Sequence, residues 1–345
     1  MNAVQSLAYA YPRMDCRAVW RSCVEDFQVY EELAFAPNGE GEHVLLQIEK
    51  RDSNTQWVAQ QLARFAGVKS MDVSYAGLKD RFAITTQWFS VRLAGKPSPD
   101  WTEFNTDEFR VLQWHYHQRK LKRGALKGNR FLITLHELQG DQEQLEQRLH
   151  KITARGVPNY FTEQRFGRDE SNLDQADKMF KGEIKVRDRH KRGLYLSAAR
   201  SLLFNHVLSH RVEEDTWDKI LPGEVVLLDG SRSHFVADDS NAELQQRLVA
   251  WDIHPTGPLP GRQRPSVSLQ LDRERQCLVD YQSWLDGLVK AGLEAERRAL
   301  RVRVEDLQWR FQENSRLQLG FYLHKGSYAT AVLRELIHKL DIGKE

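Results

Sequence analysis

Residues 73–87 read Val-Ser-Tyr-Ala-Gly-Leu-Lys-Asp-Arg-Phe-Ala-Ile-Thr-Thr-Gln, and the fold is predicted most clearly around this stretch. Its first six residues are β-branched, aromatic or small and predict a short buried strand. Residues 87–93 alternate between polar and apolar side chains and predict a second strand. The carboxylate of Asp80 stands between the two strands, with a cation on either side. A charged turn between apolar strands is one way in which a rigid sheet presents a reactive group.

Two interpretations of Asp80 are open at this point. The first is an ordinary surface turn with a charge cluster of Lys79, Asp80 and Arg81, and spacing alone favours it because solvated charge triplets are common. The second is a functional carboxylate. Adjacent cations favour the ionised form of an aspartate, which can act as a nucleophile or as an electrostatic stabiliser.

The length of the chain predicts more than one compact core. Its 345 residues suggest two domains, or one domain with a large insertion. A hydrophobic content of 41% and a charged content of 28% are typical of a soluble globular protein. No apolar run is long enough to span a bilayer, and residues 1–12 lack the pattern of a signal peptide. We therefore expect a cytoplasmic location.

Metal and disulfide chemistry are not expected. The chain has three cysteines, Cys16, Cys23 and Cys277, and no Cys-x-x-Cys pair, which argues against disulfides and structural zinc. His115 and His117 would share one face of a strand, but no cysteine or carboxylate partner lies near them in the sequence.

Two short segments carry a strong positive charge on a chain whose net charge is only +2. The first basic segment, residues 117–130, has six cations and no acid. The second basic segment, residues 185–192, has five cations and one acid. Local basic segments on a nearly neutral chain predict a face that binds a polyanion.

The order of predicted elements places strands at both ends of the chain and helices in the middle. This order predicts an α+β protein in which an insertion interrupts a mixed-sheet catalytic domain. We expect the catalytic domain to comprise residues 1–154 and 303–345, and the insertion to comprise residues 155–302.

Three blocks and two supporting stretches resemble a known family. In chain order they are Glu25-Asp26-Phe27-x-Val29-x-Glu31, Ala76-Gly77-Leu78-Lys79-Asp80-Arg81 with Thr85 and Gln87, Gly128-Asn129-Arg130-Phe131, Pro158-Asn159-Tyr160-Phe161-x-x-Gln164-Arg165-Phe166-Gly167 with Asn172, and Gly326-Ser327-Tyr328-Ala329-Thr330. Together they resemble the tRNA pseudouridine synthase D (TruD) family, in family order and over nearly the whole chain. Several long matches in the same order are more specific than a single motif. They therefore favour the functional interpretation of Asp80 over the surface turn.

The resemblance implies both a fold and a reaction. The fold would be a pseudouridine-synthase-like, mixed and largely antiparallel sheet with helices, interrupted by a second α/β insertion (TRUD) domain. The reaction would be that of an isomerase that breaks the glycosidic bond of a uridine in RNA, rotates the base and rejoins it through carbon. The family uses no cofactor and no metal. The implied substrate is the uridine at position 13 of tRNA, and we expect the protein to be a monomer.

The resemblance also implies roles for single residues. Asp80 falls on the catalytic position, and Arg21 lies where the family has a basic residue, so we propose Arg21 as the ion-pair partner of Asp80. Phe27 and Tyr328 fall on aromatic positions that contact the base, and stacking on an aromatic ring contributes roughly 1–3 kcal/mol per base. Asn129 has a donor and an acceptor that suit the uracil edge. Core packing for the rings and turn chemistry for Asn129 are the alternatives.

Further residues are candidates for contact with RNA. The expected phosphate contacts, which would position the tRNA without reading its sequence, are Lys79, Arg81, Arg119, Lys120, Lys122, Arg123, Arg187, Arg189, Lys191 and Arg192. Four residues are expected to shape the hinge between the domains, with an RNA contact as the alternative: Asn159, Tyr160, Phe161 and Arg165.

Two departures from the family pattern, and one rival function, complete the prediction. Cys23-Val24 replaces the usual Asn-Pro before Phe27 and is expected to loosen that loop, and Tyr328 replaces the usual phenylalanine. The rival is a non-catalytic RNA-binding or tRNA chaperone protein on the same fold. The intact sequence around Asp80 argues against it.

Overall fold

A computed structural model of the chain describes residues 4–237, 242–262 and 269–343, without the side chains of residues 269–271. The chain divides into two compact units. The sheet unit comprises Met14–Leu149, Val304–Gly326 and Ile337–Glu345. The helical unit comprises Met1–Arg13, His150–Arg303 and Ser327–Leu336. Residues 4–13 and 327–336 therefore group with the middle of the chain, whereas the sequence led us to expect them in the catalytic domain.

The strands of the structure are numbered in chain order. They are β1 (Arg17–Trp20), β2 (Phe27–Leu33), β3 (His43–Arg51), β4 (Val73–Tyr75), β5 (Ile84–Arg92), β6 (Phe109–His117), β7 (Leu126–Gln139), β8 (Val157–Pro158), β9 (Glu224–Leu228), β10 (His234–Ala237), β11 (Ile253–Leu259), β12 (Glu296–Ala299), β13 (Arg301–Val302), β14 (Glu305–Gln312), β15 (Arg316–His324) and β16 (Lys339–Ile342).

The helices are numbered in the same way. They are α1 (Thr55–Phe65), α2 (Gln142–Arg155), α3 (Glu163–Phe166), α4 (Ser171–Phe180), α5 (Arg189–Glu213), α6 (Ala242–Val249), α7 (Leu269–Cys277), α8 (Gln282–Lys290) and α9 (Ala329–Leu336).

A mixed sheet forms the body of the sheet unit. Seven of its strands lie in the order β14-β15-β7-β2-β5-β3-β6. In addition, β1 pairs with β7, β4 pairs with β5, and β16 pairs with β1. The β2–β5 and β1–β16 pairs are parallel and the remaining pairs are antiparallel. Val58 and Leu62 of α1 pack with Ile48 and Phe89 of the sheet in one apolar core. The expected α+β class with a largely antiparallel sheet is confirmed.

The stretch from which the prediction began forms two paired strands. β4 pairs antiparallel with β5, with Val73 opposite Val91 and Tyr75 opposite Phe89. The first strand is shorter than predicted because the chain leaves the sheet after Tyr75. Asp80 lies in the irregular connection between the two strands.

The helical unit contains the long helix α5 and an antiparallel sheet. That sheet has the strand order β10-β9-β11-β12. Leu203, Phe204 and Leu208 of α5 are buried in a core that also includes Trp284 of α8. The unit therefore combines helices and strands, as the resemblance implies for the insertion domain.

α5 begins at Arg189, where the carboxylate of Asp188 accepts hydrogen bonds from the backbone N–H groups of His190 and Lys191. An aspartate at this position satisfies N–H groups that have no partner inside the helix. β7 begins at Leu126, so Asn129 lies within a strand and not in a turn.

Candidate active site

Arg21 and Asp80 form an ion pair in the sheet unit. Nη2 of Arg21 lies 3.1 Å from Oδ1 of Asp80, and the two side chains are 21% and 26% exposed. Arg21 directly follows β1 and has a φ of 58°, a left-handed conformation that is uncommon for a residue with a side chain. Backbone conformations of this kind persist where the surrounding structure imposes them, often at functional sites. The structure thus brings together the two residues that the resemblance paired.

Two aromatic rings support the guanidinium group of Arg21. Its Cζ lies 4.5 Å from the ring centroid of Trp20 and 4.7 Å from that of Phe27. The Phe27 ring packs edge-on against Trp20 and is stacked at 6.1 Å on Phe131. Phe27 is only 4% exposed. In this arrangement Phe27 supports Arg21, and a base could stack on the same face of the ring only if Arg21 moved.

The loop that carries Asp80 is fastened at successive residues by side chains from outside it. Nε2 of Gln87 donates to the carbonyl oxygen of Gly77 at 2.5 Å. Oγ1 of Thr55 accepts from the N–H of Lys79 at 3.1 Å and donates to Gln87 at 3.0 Å. Nζ of Lys50 donates to the carbonyl oxygen of Asp80 at 2.7 Å. These bonds hold an irregular loop in one conformation, which a precisely placed carboxylate requires.

Lys79 points away from Asp80 and into the sheet. Its Nζ lies 2.5 Å from Oε2 of Glu31, and the two side chains are 9% and 0% exposed. Oε1 of Glu31 accepts from the backbone N–H of Trp88 at 3.1 Å. The Lys79 ammonium group is therefore occupied by a buried carboxylate, and its burial argues against the expected contact with an RNA phosphate.

Asn129 presents a buried acceptor. It lies on β7, opposite Glu31 of β2 and Leu323 of β15, so the three side chains share a face of the sheet. Among the described residues, the buried Oδ1 of Asn129 has no hydrogen-bond partner. Buried polar atoms in folded proteins are normally paired, so an acceptor of this kind suits a ligand that donates a hydrogen bond.

The turn before Phe27 is held despite the Cys23-Val24 departure. The carboxylate of Asp26 accepts from the backbone N–H of Cys23 at 2.9 Å. Its other oxygen lies 2.6 Å from Nε2 of His136 on β7. Asp26 is buried, so these contacts tie the turn to the sheet without a proline.

Tyr328 belongs to the helical unit. Its hydroxyl accepts a hydrogen bond from Nη2 of Arg165 at 2.7 Å, and its ring packs edge-on against Phe161 at 6.0 Å. Nη1 of Arg165 donates to the hydroxyl of Ser197 at 3.2 Å. A phenylalanine could not accept the bond from Arg165, so the tyrosine adds a polar anchor at this position.

The sequence around Asn159 is buried in the helical unit. Nδ2 of Asn159 donates to the carbonyl oxygen of Ala299 at 2.8 Å. The hydroxyl of Tyr160 donates to the carbonyl oxygen of Ala8 at 3.1 Å. The backbone of Phe161 exchanges hydrogen bonds of 2.9 and 2.7 Å with the side chain of Asn205. Burial also raises the pKa of the Tyr160 hydroxyl well above its usual value. These contacts favour a structural role over an RNA contact.

The other expected phosphate contacts are exposed. In the sheet unit they are Arg81, Arg119, Lys120, Lys122 and Arg123, and in the helical unit Arg187, Arg189, Lys191 and Arg192. Two of them have partners already, since Arg81 pairs with Asp52 at 3.2 Å and Nζ of Lys120 donates to the carbonyl oxygen of Met71.

Among the described residues, no group of three or more His, Cys, Asp or Glu side chains is arranged to hold a metal ion. His115 lies 3.1 Å from Gln113, and the ring of His117 stacks on Phe35. No helix in the described part of the chain has the length and apolar character needed to span a bilayer.

Comparison with known families gives a match over most of the chain. The family model for tRNA pseudouridine synthase D (TruD) matches residues 3–184 and 170–336. The chain belongs to the TruD family.

Curated members of the TruD family are similar over nearly their whole length. The tRNA pseudouridine synthase D of Nitrosococcus oceani is 52% identical over 336 residues, which cover 96% of this chain and 94% of the relative. That of Methylococcus capsulatus is 49% identical over 332 residues, with the same coverage. A crystal structure of TruD from Methanosarcina mazei matches this chain with a TM-score of 0.73 at 21% sequence identity. The match covers 96% of this chain and 95% of the Methanosarcina mazei chain, and it supports the fold.

Sequence reasoning missed several residues of this TruD site. Lys50 and Thr55 lie outside the blocks that resemble the family, and Glu31 was noted only as part of a supporting stretch. A signal for Lys50 exists in the sequence, because it continues the buried face of β3 after Leu46 and Ile48. A lysine on the apolar face of a strand is unusual and indicates a specific partner.

Proposed function

We propose that this chain is a tRNA pseudouridine synthase, an isomerase that converts the uridine at position 13 of tRNA to pseudouridine. Full-length similarity to relatives with that name supports the activity. The observation that carries the chemistry is the ion pair between Arg21 and Asp80, at 3.1 Å, on a loop held from several sides.

Asp80 is the proposed nucleophile. Its carboxylate is partly exposed, so a substrate can approach it, while its backbone is held by Lys50. Arg21 supplies a positive charge beside it, which an ionised carboxylate needs in a site partly shielded from water. Either direct attack at the anomeric carbon or elimination at the sugar detaches the base, and the base then rejoins through carbon. The product is an isomer of the substrate, so the overall reaction consumes no co-substrate.

Asn129 is the proposed reader of the uracil edge. A uridine stacked within an RNA helix is inaccessible, so the base must be flipped out before reaction. The buried Oδ1 of Asn129 could then accept a hydrogen bond from the N3–H of uracil. We propose that Phe27 acts mainly through Arg21, on whose guanidinium group its ring packs.

The exposed basic segments would bind the phosphates of the tRNA. Contacts of this kind contribute affinity that is independent of sequence and weakens with salt. The residues that remain candidates are Arg81 and the exposed cations of residues 119–123 and 187–192.

The proposed function is tested by mapping pseudouridine in tRNA incubated with the wild-type protein and with Asp80→Asn. We expect pseudouridine at position 13 with the wild type and none with Asp80→Asn, because the amide keeps the shape of the side chain but is no nucleophile. Asp306→Asn is the matched control, since Asp306 lies in an exposed ion pair with Arg130. Conversion by Asp80→Asn would disprove the mechanism. Wild-type protein that binds tRNA without converting it would instead identify a non-catalytic tRNA-binding protein.

A further inference from the structure

Lys50 is a charged residue in the interior of the sheet unit. It lies near the end of β3, paired with Thr85 of β5 and Phe109 of β6, and none of its surface is exposed. Lysine is almost never fully buried in proteins unless it has a partner. Burial lowers the pKa of the Lys50 ammonium group to about 8. Asp80 and Asp52 oppose this effect and Lys79 adds to it.

The partner of this ammonium group is the backbone of Asp80. Among the described residues, the only hydrogen bond of Nζ is the one to the carbonyl oxygen of Asp80, at 2.7 Å. Lys79, the other buried lysine of this region, is neutralised by the carboxylate of Glu31. The charged group of Lys50 therefore binds the main chain of the loop, whereas that of Lys79 forms an ion pair with a carboxylate.

A neutral side chain could fasten the loop at lower cost. Thr55 and Gln87 do so at Lys79 and Gly77 without any buried charge. An ammonium group gives a stronger hydrogen bond than a neutral donor, and it also places positive charge beneath Asp80. Unlike Lys79, Lys50 directs its buried charge at a backbone carbonyl oxygen, and this arrangement indicates a function beyond folding.

We propose that Lys50 is a positioning residue for the reaction, which holds the main chain of Asp80 so that its carboxylate remains against Arg21. The inference rests on the proposed function, because it assigns Lys50 a role through the proposed nucleophile. Lys50 itself is buried and does not reach the RNA.

Lys50→Met tests this role, because methionine is of similar length and suits an apolar slot. We expect kcat for pseudouridine formation to fall by about 100-fold, as for other small displacements of catalytic groups. KM for tRNA should change by less than about twofold, since a buried residue makes no phosphate contact. Lys219→Met is the control, because Lys219 lies in an exposed ion pair with Asp215 and outside both basic segments.

Three results would overturn the inference. The first is a kcat of Lys50→Met close to that of the wild type. The second is a joint loss of kcat and tRNA affinity, which would indicate general disruption. If Lys50→Met fails to fold, Lys50→Leu provides the same test, because leucine also lacks a hydrogen-bond donor, and a wild-type kcat in that variant is the third. Failure of the proposed function is distinct, because the wild-type protein would then form no pseudouridine at all.

Discussion

The ammonium group of Lys79 lies 2.5 Å from the carboxylate of Glu31, although Lys79 is next to Asp80 in the sequence. The contact turns Lys79 into the sheet, and the cation that meets Asp80 comes instead from Arg21 at the end of β1. The two sequence neighbours thus differ in their surroundings: Lys79 is held in the sheet by Glu31, and the carboxylate of Asp80 stays partly exposed beside Arg21.

Glu31→Gln should destabilise the sheet unit strongly. It leaves the Lys79 ammonium group buried without a counter-charge, which typically costs about 3–5 kcal/mol. Glu32→Gln is the matched control on the same strand, because Glu32 and its partner Lys127 are both about half exposed. Exposed ion pairs of this kind contribute roughly 0–1 kcal/mol to the free energy of unfolding. Urea unfolding of both variants provides the measurement. Equal free energies of unfolding would show that the buried pair does not stabilise the fold.

Arg21→Met should remove most of the activity while the protein stays folded. Loss of a charged group beside a reacting centre commonly lowers kcat by about 100-fold or more. Single-turnover pseudouridine formation measures the effect. Arg92→Met serves as control, because Arg92 pairs with Glu42 at the surface. Full activity of Arg21→Met would mean that another cation supports Asp80.

Asn129→Ala should separate activity from stability. Because Oδ1 is buried without a partner among the described residues, its removal should leave the free energy of unfolding unchanged or raise it by up to about 1 kcal/mol. Activity should fall, since uracil loses a hydrogen-bond partner. Thermal unfolding and pseudouridine formation are measured on the same preparation. A less stable but active variant would assign Asn129 to the fold and not to the substrate.

The pH dependence of stability should reveal the buried charge of Lys50. Burial lowers the pKa of Lys50 to about 8 in the folded protein, whereas the solvated lysine of the unfolded chain has its ordinary pKa of about 10.5. The unfolded chain therefore binds more protons between these values, and stability rises with pH across this window. Relative to Lys50→Met, the wild type should lose up to about 3 kcal/mol as pH falls from 10.5 to 8. Parallel stability curves of the two proteins over this range would contradict the lowered pKa.

Removal of charge from the first basic segment should weaken tRNA binding. Replacing Arg119, Lys120 and Lys122 by glutamine should lower affinity and flatten its dependence on salt, by up to about one unit of logarithmic slope per lost contact. A control with the same change in charge replaces Arg64, Lys69 and Lys96, which are exposed elsewhere on the sheet unit. An unchanged slope for the first variant would exclude this segment from the RNA-binding surface.

The sequence predicts the presence of both strands around Asp80, because their apolar patterns are strong and local, but it misplaces where the first strand ends and where the second begins. Spacing alone did not single out Asp80, and the pairing with Arg21 was expected only from the resemblance. Lys50, Thr55 and Glu31 were missed as a group because their contacts join β3, α1 and β2 to one loop. Contacts of that kind depend on strand register, which a single sequence does not reveal.

The position of β7 within the sheet has a consequence for synthesis. β7 pairs with β2 on one side and with β15 on the other. On the ribosome, β2 and β7 can pair early, but β15 emerges only after the whole of residues 150–303 has been made. Until then one long edge of β7 lacks its partner, and open edges of this kind attract other strands. Nascent chains that stall before residue 316 should therefore depend on chaperones, and the sheet that carries Arg21 and Asp80 is completed late in translation.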